Sequence, residues 1–115
     1  MSLSDKQWTF LINVSKLIQF IKSNGMKATG GELLRTMEQQ QIYLKEGRSK
    51  TLDSQHLRKL AIDMNFFNGG TYLMGLPRDE LKPLLQEVGD YWESLGDGYQ
   101  WGGNWNFWDP GHFQG

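Results

Sequence analysis

The chain has 115 residues, 38% of them hydrophobic and 22% charged, with a formal net charge of -1 and no cysteine. That length lets a single domain, 1–115, bury a core without disulfide or metal staples, so a metal here would serve chemistry rather than folding. The balanced charge offers no basic face for nucleic acid, and the lack of cysteine excludes thiolate zinc sites, disulfide frameworks and cysteine nucleophiles.

From Asp5, read as an N-cap, the residues Trp8, Leu11, Ile12, Ser15, Ile18 and Ile21 recur at three- and four-residue steps, which predicts one face of a helix closed by Asn24-Gly25. Lys16, Gln19 and Lys22 interrupt this segment, no small-residue cleavage site follows it, and no apolar run approaches the roughly 20 residues of a spanning helix. The expectation is synthesis in the cytoplasm without a signal peptide and no membrane insertion. MKATGG is short and turn-rich, and LLRTMEQQQIYLKEG then carries Met37, Gln41 and Leu44 on one stripe up to Gly47, a second helix.

After the polar RSKTLDSQ, the run LAIDMNFF alternates, with Ile62, Met64 and Phe66 on one side and Ala61, Asp63 and Asn65 on the other. It predicts a strand that turns at Asn68-Gly69-Gly70 into TYLMGL. Beyond Pro77, Leu81, Leu84, Leu85, Val88 and Trp92 form the stripe of a third helix ending near Gly96. The aromatic, glycine-rich tail has room for two short strands around a DPG turn. Helices and strands are segregated, which predicts an α+β fold with a small antiparallel sheet and about three helices.

Chemistry concentrates in few residues. The only histidines are His56 and His112, so a catalytic zinc with three protein ligands would need both plus a carboxylate, and Asp63 is the natural third. Along one helix His56 and Asp63 would stand about 10 Å apart, and along one strand more than about 20 Å, so the chain between them must fold back. Asp109-Pro110-Gly111-His112 fits a type II turn, with Gly111 taking the positive φ, and such a turn brings residues 109 and 112 within about 7 Å. A carboxylate is then beside a metal ligand, where a general base belongs. Taken singly, each residue has a plainer reading: a lone histidine is more often a hydrogen-bonding residue than a ligand, and Asp109 suits a turn start on its own. Asp63 is harder to dismiss, because a charge in an apolar strand must be exposed, paired or ligating.

At these residues the sequence resembles a known family. SQHLRKLAID is similar to the Ser-x-His-(x)6-Asp motif of the D-alanyl-D-alanine carboxypeptidase and L-alanyl-D-glutamate endopeptidase family, and WGGNWNFWDPGHF resembles its second motif. Upstream, LLRTMEQQ resembles its Tyr-Arg-Ser/Thr element, with Leu34 replacing the aromatic. The resemblance implies a Hedgehog/DD-peptidase-like fold in the phage endolysin branch, with one Zn2+ held by His56, Asp63 and His112 and with Asp109 as base. It further implies that Arg35 contacts the substrate carbonyl or transition-state oxygen and that Gln40 and Ser54 lie near substrate. Three departures stand out: Lys59 replaces a common glycine of the first motif, Asp109 replaces a common glutamate, and Gln114 stands where relatives often carry glutamate.

The activity implied is hydrolysis of peptidoglycan stem peptides, foremost between L-alanine and D-glutamate, by an enzyme that reaches the wall with help from a holin. The rivals are a D-alanyl-D-alanine carboxypeptidase, for which Arg48, Arg58 or Lys59 would have to hold a free carboxylate, and a non-catalytic wall-binding or phage structural module. Trp101, Trp105 and Trp108, with Gly102 and Gly103 admitting the peptide close to the backbone, are candidate groove linings. For Trp101, Trp105 and Trp108 the competing reading is core, since aromatic residues dominate small cores.

Overall fold

A computed structural model describes residues 2–31 and 55–115. Its first element is helix α1, Leu3–Ser23, started by Ser2 rather than Asp5. The Ser2 side chain accepts from the Asp5 backbone N–H, and the Asp5 carboxylate accepts from the Ser2 backbone N–H, a reciprocal capping box that puts Asp5 in the first turn. The buried stripe also differs from expectation. Phe10, Asn13, Val14, Leu17 and Ile21 face inward, whereas Trp8, Leu11, Ile12 and Ile18 are exposed. The helix carries two apolar stripes, and Asn13 disguises the buried one; its side-chain amide is satisfied by donating to the Tyr99 hydroxyl at 2.9 Å.

Strand β1, Lys27–Gly30, lies where a turn-rich connection was expected. The central strand is β2, Ala61–Asn68. β1 runs antiparallel along one of its edges, and the other edge carries β3, Thr71–Tyr72, at one end and β5, His112–Gln114, at the other. Strand β4, Gln100–Trp101, pairs with β5 and completes the sheet order β1-β2-β5-β4. The β2–β3 hairpin turns through Gly69-Gly70 as expected, with Gly69 at φ 61°.

Helix α2, Arg78–Glu93, packs with α1 against the sheet. Leu81, Leu85, Val88 and Trp92 are buried as expected, but Leu84 is exposed. These meet Phe10, Leu17, Met64, Phe66, Trp101 and Phe113 in one core. Trp92 is its hinge: its ring meets Phe10 edge-on at 5.5 Å and Phe113 edge-on at 6.0 Å, and its indole N–H donates to the Gln114 carbonyl at 3.0 Å. Among the described residues there are two α-helices. The expected second helix falls in 32–54, outside them. No helix of the described residues is long and apolar enough to cross a membrane.

One backbone feature positions the site. Gln55–Arg58 forms a 3-10 turn that ends with Leu60 N–H on the Gln55 carbonyl at 3.0 Å and Lys59 N–H on the His56 carbonyl at 3.3 Å. This is a Schellman closure, and Lys59 occupies its left-handed position at φ 57°. The chain reverses there, which folds His56 back toward β2. A non-glycine residue in that region costs about 1–2 kcal/mol, partly offset by the larger unfolded-state freedom of glycine. Lys59→Gly is therefore expected to raise the unfolding free energy by about 0.5–1 kcal/mol in urea titrations. Lys59→Ala should leave it nearly unchanged, and equal effects from the two would refute the strain argument.

Candidate metal centre

The β2–β5 register sets Asp63 directly opposite His112. In an antiparallel pair such residues project from the same face with Cβ atoms about 5 Å apart, so pairing alone brings the carboxylate to the imidazole. His112 Nδ1 lies 3.1 Å from Asp63 Oδ1, and His56 Nε2, delivered by the Schellman reversal, lies 3.3 Å from Asp63 Oδ2. The two imidazole rings stand edge to face at 4.9 Å. Both histidines are buried, while the Asp63 side chain keeps 32% of its surface.

One donor atom from each of His56, Asp63 and His112 lies within 4.8 Å of the others, so the three form a group that could hold a metal ion. Donor chemistry fits as well as position. Bonds of about 2.0–2.2 Å in a tetrahedral site put donor atoms roughly 3.3 Å apart; each imidazole nitrogen stands 3.1 or 3.3 Å from a different oxygen of Asp63. His56 presents Nε2 and His112 presents Nδ1.

Burial by itself would push the Asp63 carboxyl up, but hydrogen bonds to His112 and His56, together with their charges, hold it well below the usual carboxylate range. For His112, burial favours the neutral ring, yet hydrogen bonds to Asp63 and Gln114 and the charges of Asp63 and Asp109 raise it above the ordinary value. The cluster thus keeps its carboxylate ionised, as metal ligation requires.

Asp109 is the next charged group. Its Oδ2 stands 3.8 Å from His112 Nδ1 and its side chain is half exposed, so it borders the cluster on the open side. The 109–112 turn closes through His112 N–H on the Asp109 carbonyl at 3.1 Å. It is not the expected type II turn, because Gly111 is absent from the positive-φ glycines. Gly111 is needed for space instead: a Cβ there would overlap the Met64 carbonyl, while Met64 N–H donates to the Gly111 carbonyl at 2.8 Å.

Trp101, Gly102 and Gly103, expected along a substrate groove, are buried. The Trp101 indole N–H donates to the Pro110 carbonyl at 2.7 Å, which ties the Asp109–His112 turn to the core. A Cβ at Gly103 would overlap the Trp101 ring, and one at Gly102 would overlap the Asp109 carbonyl. Their lack of side chains serves internal packing. Trp105 is the tryptophan at the site: half-buried, its ring lies 5.0 Å from that of His112. Trp108 packs under the Arg78 guanidinium at 5.5 Å. Arg35, Gln40 and Ser54 lie outside the described residues.

In the sequence Gln114 stands out only as a departure from a common glutamate; in the fold its Oε1 lies 2.8 Å from His112 Nε2. Its place two residues along the strand from His112 was the available signal, since such residues share a face.

An antiparallel sheet presenting a His–Asp–His cluster with a further carboxylate at its edge is the architecture of a candidate metal centre. Residues 47–115 match the family model described as D-alanyl-D-alanine carboxypeptidase, and the chain belongs to that family. It is 36% identical over 101 residues to the L-alanyl-D-glutamate peptidase of Listeria phage A118, an alignment covering 86% of this chain and 34% of that protein. The chain thus spans about a third of the length of the curated relative it matches. In three dimensions it is similar to the Serratia marcescens L-Ala D-Glu endopeptidase ChiX, with TM-score 0.59 and 29% identity, over 77% of this chain and 66% of that one. The α+β fold expected from sequence agrees with that likeness.

Gly111→Ala is expected to lower the unfolding free energy by about 1–3 kcal/mol, because its methyl must displace the β2 backbone. Chemical denaturation measures this, and an unchanged midpoint would show that the turn gives way without cost.

Proposed function

We propose that the chain is a zinc-dependent peptidase that hydrolyses peptidoglycan stem peptides, foremost the bond between L-alanine and D-glutamate. The observation that carries this reading is the convergence of His56, Asp63 and His112 with the Asp109 carboxylate 3.8 Å from a ligand nitrogen. The scissile bond comes from the relatives, since both the phage protein and ChiX are named for L-Ala/D-Glu cleavage.

In this reading His56 Nε2, Asp63 and His112 Nδ1 hold one Zn2+. Bound zinc would supply a Lewis acid that polarises the scissile carbonyl and acidifies water. Asp109 takes a proton from the attacking water and later returns it to the leaving amine, the two duties of one general acid–base group. Its half-exposed carboxylate can meet both water and substrate, whereas the buried histidines cannot. Arg35 would hold the oxyanion and Gln40 and Ser54 would contact the peptide, on the strength of the sequence resemblance. Trp105, beside His112, replaces Trp101 as the tryptophan placed to touch substrate. Export helped by a holin belongs to the same reading.

The family description itself favours D-alanyl-D-alanine carboxypeptidase as the second reading. Among its candidate carboxylate holders, Arg58 is exposed and donates to the Gln55 side chain at 3.1 Å. A non-catalytic wall-binding module has no use for a carboxylate set beside a metal ligand.

Mass spectrometry of purified peptidoglycan after incubation with the zinc-loaded protein separates these readings. New L-Ala and D-Glu termini are expected, and release of free D-alanine alone would transfer the assignment to the carboxypeptidase. Asp109→Asn is expected to retain one zinc per chain while turnover falls by at least about 100-fold, the usual worth of a general base. His56→Ala should lose the zinc itself. A wild-type protein that binds no zinc would overturn the reading.

A further inference from the structure

Beyond the three ligands and the base, we infer that Gln114 is a positioning residue that fixes the tautomer and ring orientation of His112, so that Nδ1 is the nitrogen presented to the metal. This rests on the zinc reading above for its consequence, though not for its geometry.

A neutral imidazole carries one N–H and one lone pair, and a hydrogen bond at one nitrogen decides which nitrogen is free to ligate. His112 Nε2 faces Gln114 Oε1 at 2.8 Å, an acceptor that favours a proton on Nε2 and so leaves Nδ1 to the metal once its own proton is displaced. The opposite nitrogen, Nδ1, is the one aimed at Asp63 Oδ1 at 3.1 Å and at Asp109 Oδ2 at 3.8 Å. The partner is itself anchored. The Gln114 carbonyl receives the Trp92 indole N–H, and its strand position is paired with Ala61 on one side and Gln100 on the other. Ala61, directly opposite Gln114 in the register, offers only a methyl group on the shared face. That leaves room for the longer side chain to lie along the strand toward His112.

The choice of an amide also has a chemical consequence. A carboxylate in this position would accept the same proton but add a negative charge to a site that already holds Asp63 and borders Asp109. It would raise the basicity of His112 as a ligand and leave less positive charge on the metal. Glutamine fixes the ring without that charge.

The test has two arms. In 15N-edited NMR of the metal-free and zinc-loaded wild type, His112 is expected to carry a slowly exchanging proton on Nε2. Gln114→Leu should speed that exchange and raise the zinc dissociation constant about 10–100-fold in chelator competition, the range seen when outer partners of ligating histidines are lost. Gln114→Glu should restore both the slow exchange and the zinc affinity, binding zinc at least as tightly as wild type. A rapidly exchanging Nε2 proton in the wild type, or Gln114→Leu with unchanged zinc affinity, would overturn the inference. If the wild type bound no zinc, the metal reading would fall, while the metal-free NMR arm would still decide whether Gln114 holds the ring. Should Gln114→Leu fail to fold, the wild-type exchange measurement and Gln114→Glu decide it.

Discussion

A single carboxylate organises this molecule. Asp63 is the one charged residue of β2, and its partial burial is tolerated because two imidazoles converge on it from opposite sides in sequence. One comes from the Schellman reversal just before β2 and the other from β5, 49 residues downstream. Both depend on the β2–β5 register. A slip of one residue would turn His112 to the opposite face and put Phe113 beside Asp63, exchanging core for site in one move. The register is held beyond the paired residues by backbone hydrogen bonds from Met64 to Gly111 and from Gly115 to Leu60, while Gly31 to Asp63 ties the other edge of β2 to the chain after β1. Gln55 adds a side-chain hydrogen bond to the Gly115 carbonyl.

The two faces of β5 show how so short a strand serves both purposes. Phe113 points into the core against Phe66 and Trp92, while His112 and Gln114 point to the cluster. Burial of the aromatic face supplies the rigidity that the polar face needs, since a metal or a base is useful only if its ligands are held within a fraction of an ångström. Trp92 and Trp101 link the two faces. Each is wholly buried, and each uses its indole N–H on a backbone carbonyl of the site-bearing segment, Gln114 in one case and Pro110 in the other.

Much of this was legible in the sequence, and the exceptions have physical causes. The alternation of LAIDMNFF, the Gly69-Gly70 hairpin and the stripe of α2 are local patterns, and the structure follows them. The three clustered residues were readable because only two histidines exist and both stand in recognisable motifs. The buried face of α1 was not readable. Two apolar stripes compete on that helix, and only the position of α2 and of Tyr99, which satisfies Asn13, selects between them. Strand β1 was hidden because a short strand of Lys, Ala, Thr and Gly has almost no pattern, its identity coming from pairing with residues 64–67 of β2. Gln114 showed only as a departure from a common glutamate and Trp105 only as one of three groove-or-core tryptophans, since their meaning lies in contacts across a fold. The second expected helix lies outside the described residues.

The glycines carry the least obvious part of the argument. In the sequence, the Gly102-Gly103 pair reads as space for a substrate and Gly111 as a conformational necessity. In the fold, Gly31, Gly102 and Gly111 are all places where a Cβ would press on backbone atoms, those of Asp63, Asp109 and Met64 in turn. Two of those neighbours are site carboxylates and the third follows Asp63 directly. A small sheet with strands of two to eight residues has little length over which to pack its functional residues closely. Removing side chains at the crossings lets the backbones themselves approach, so that a carboxylate, two imidazoles and a candidate base share one end of the sheet. Substitution at these glycines would therefore act on the site through geometry, even though none of them supplies an atom to it.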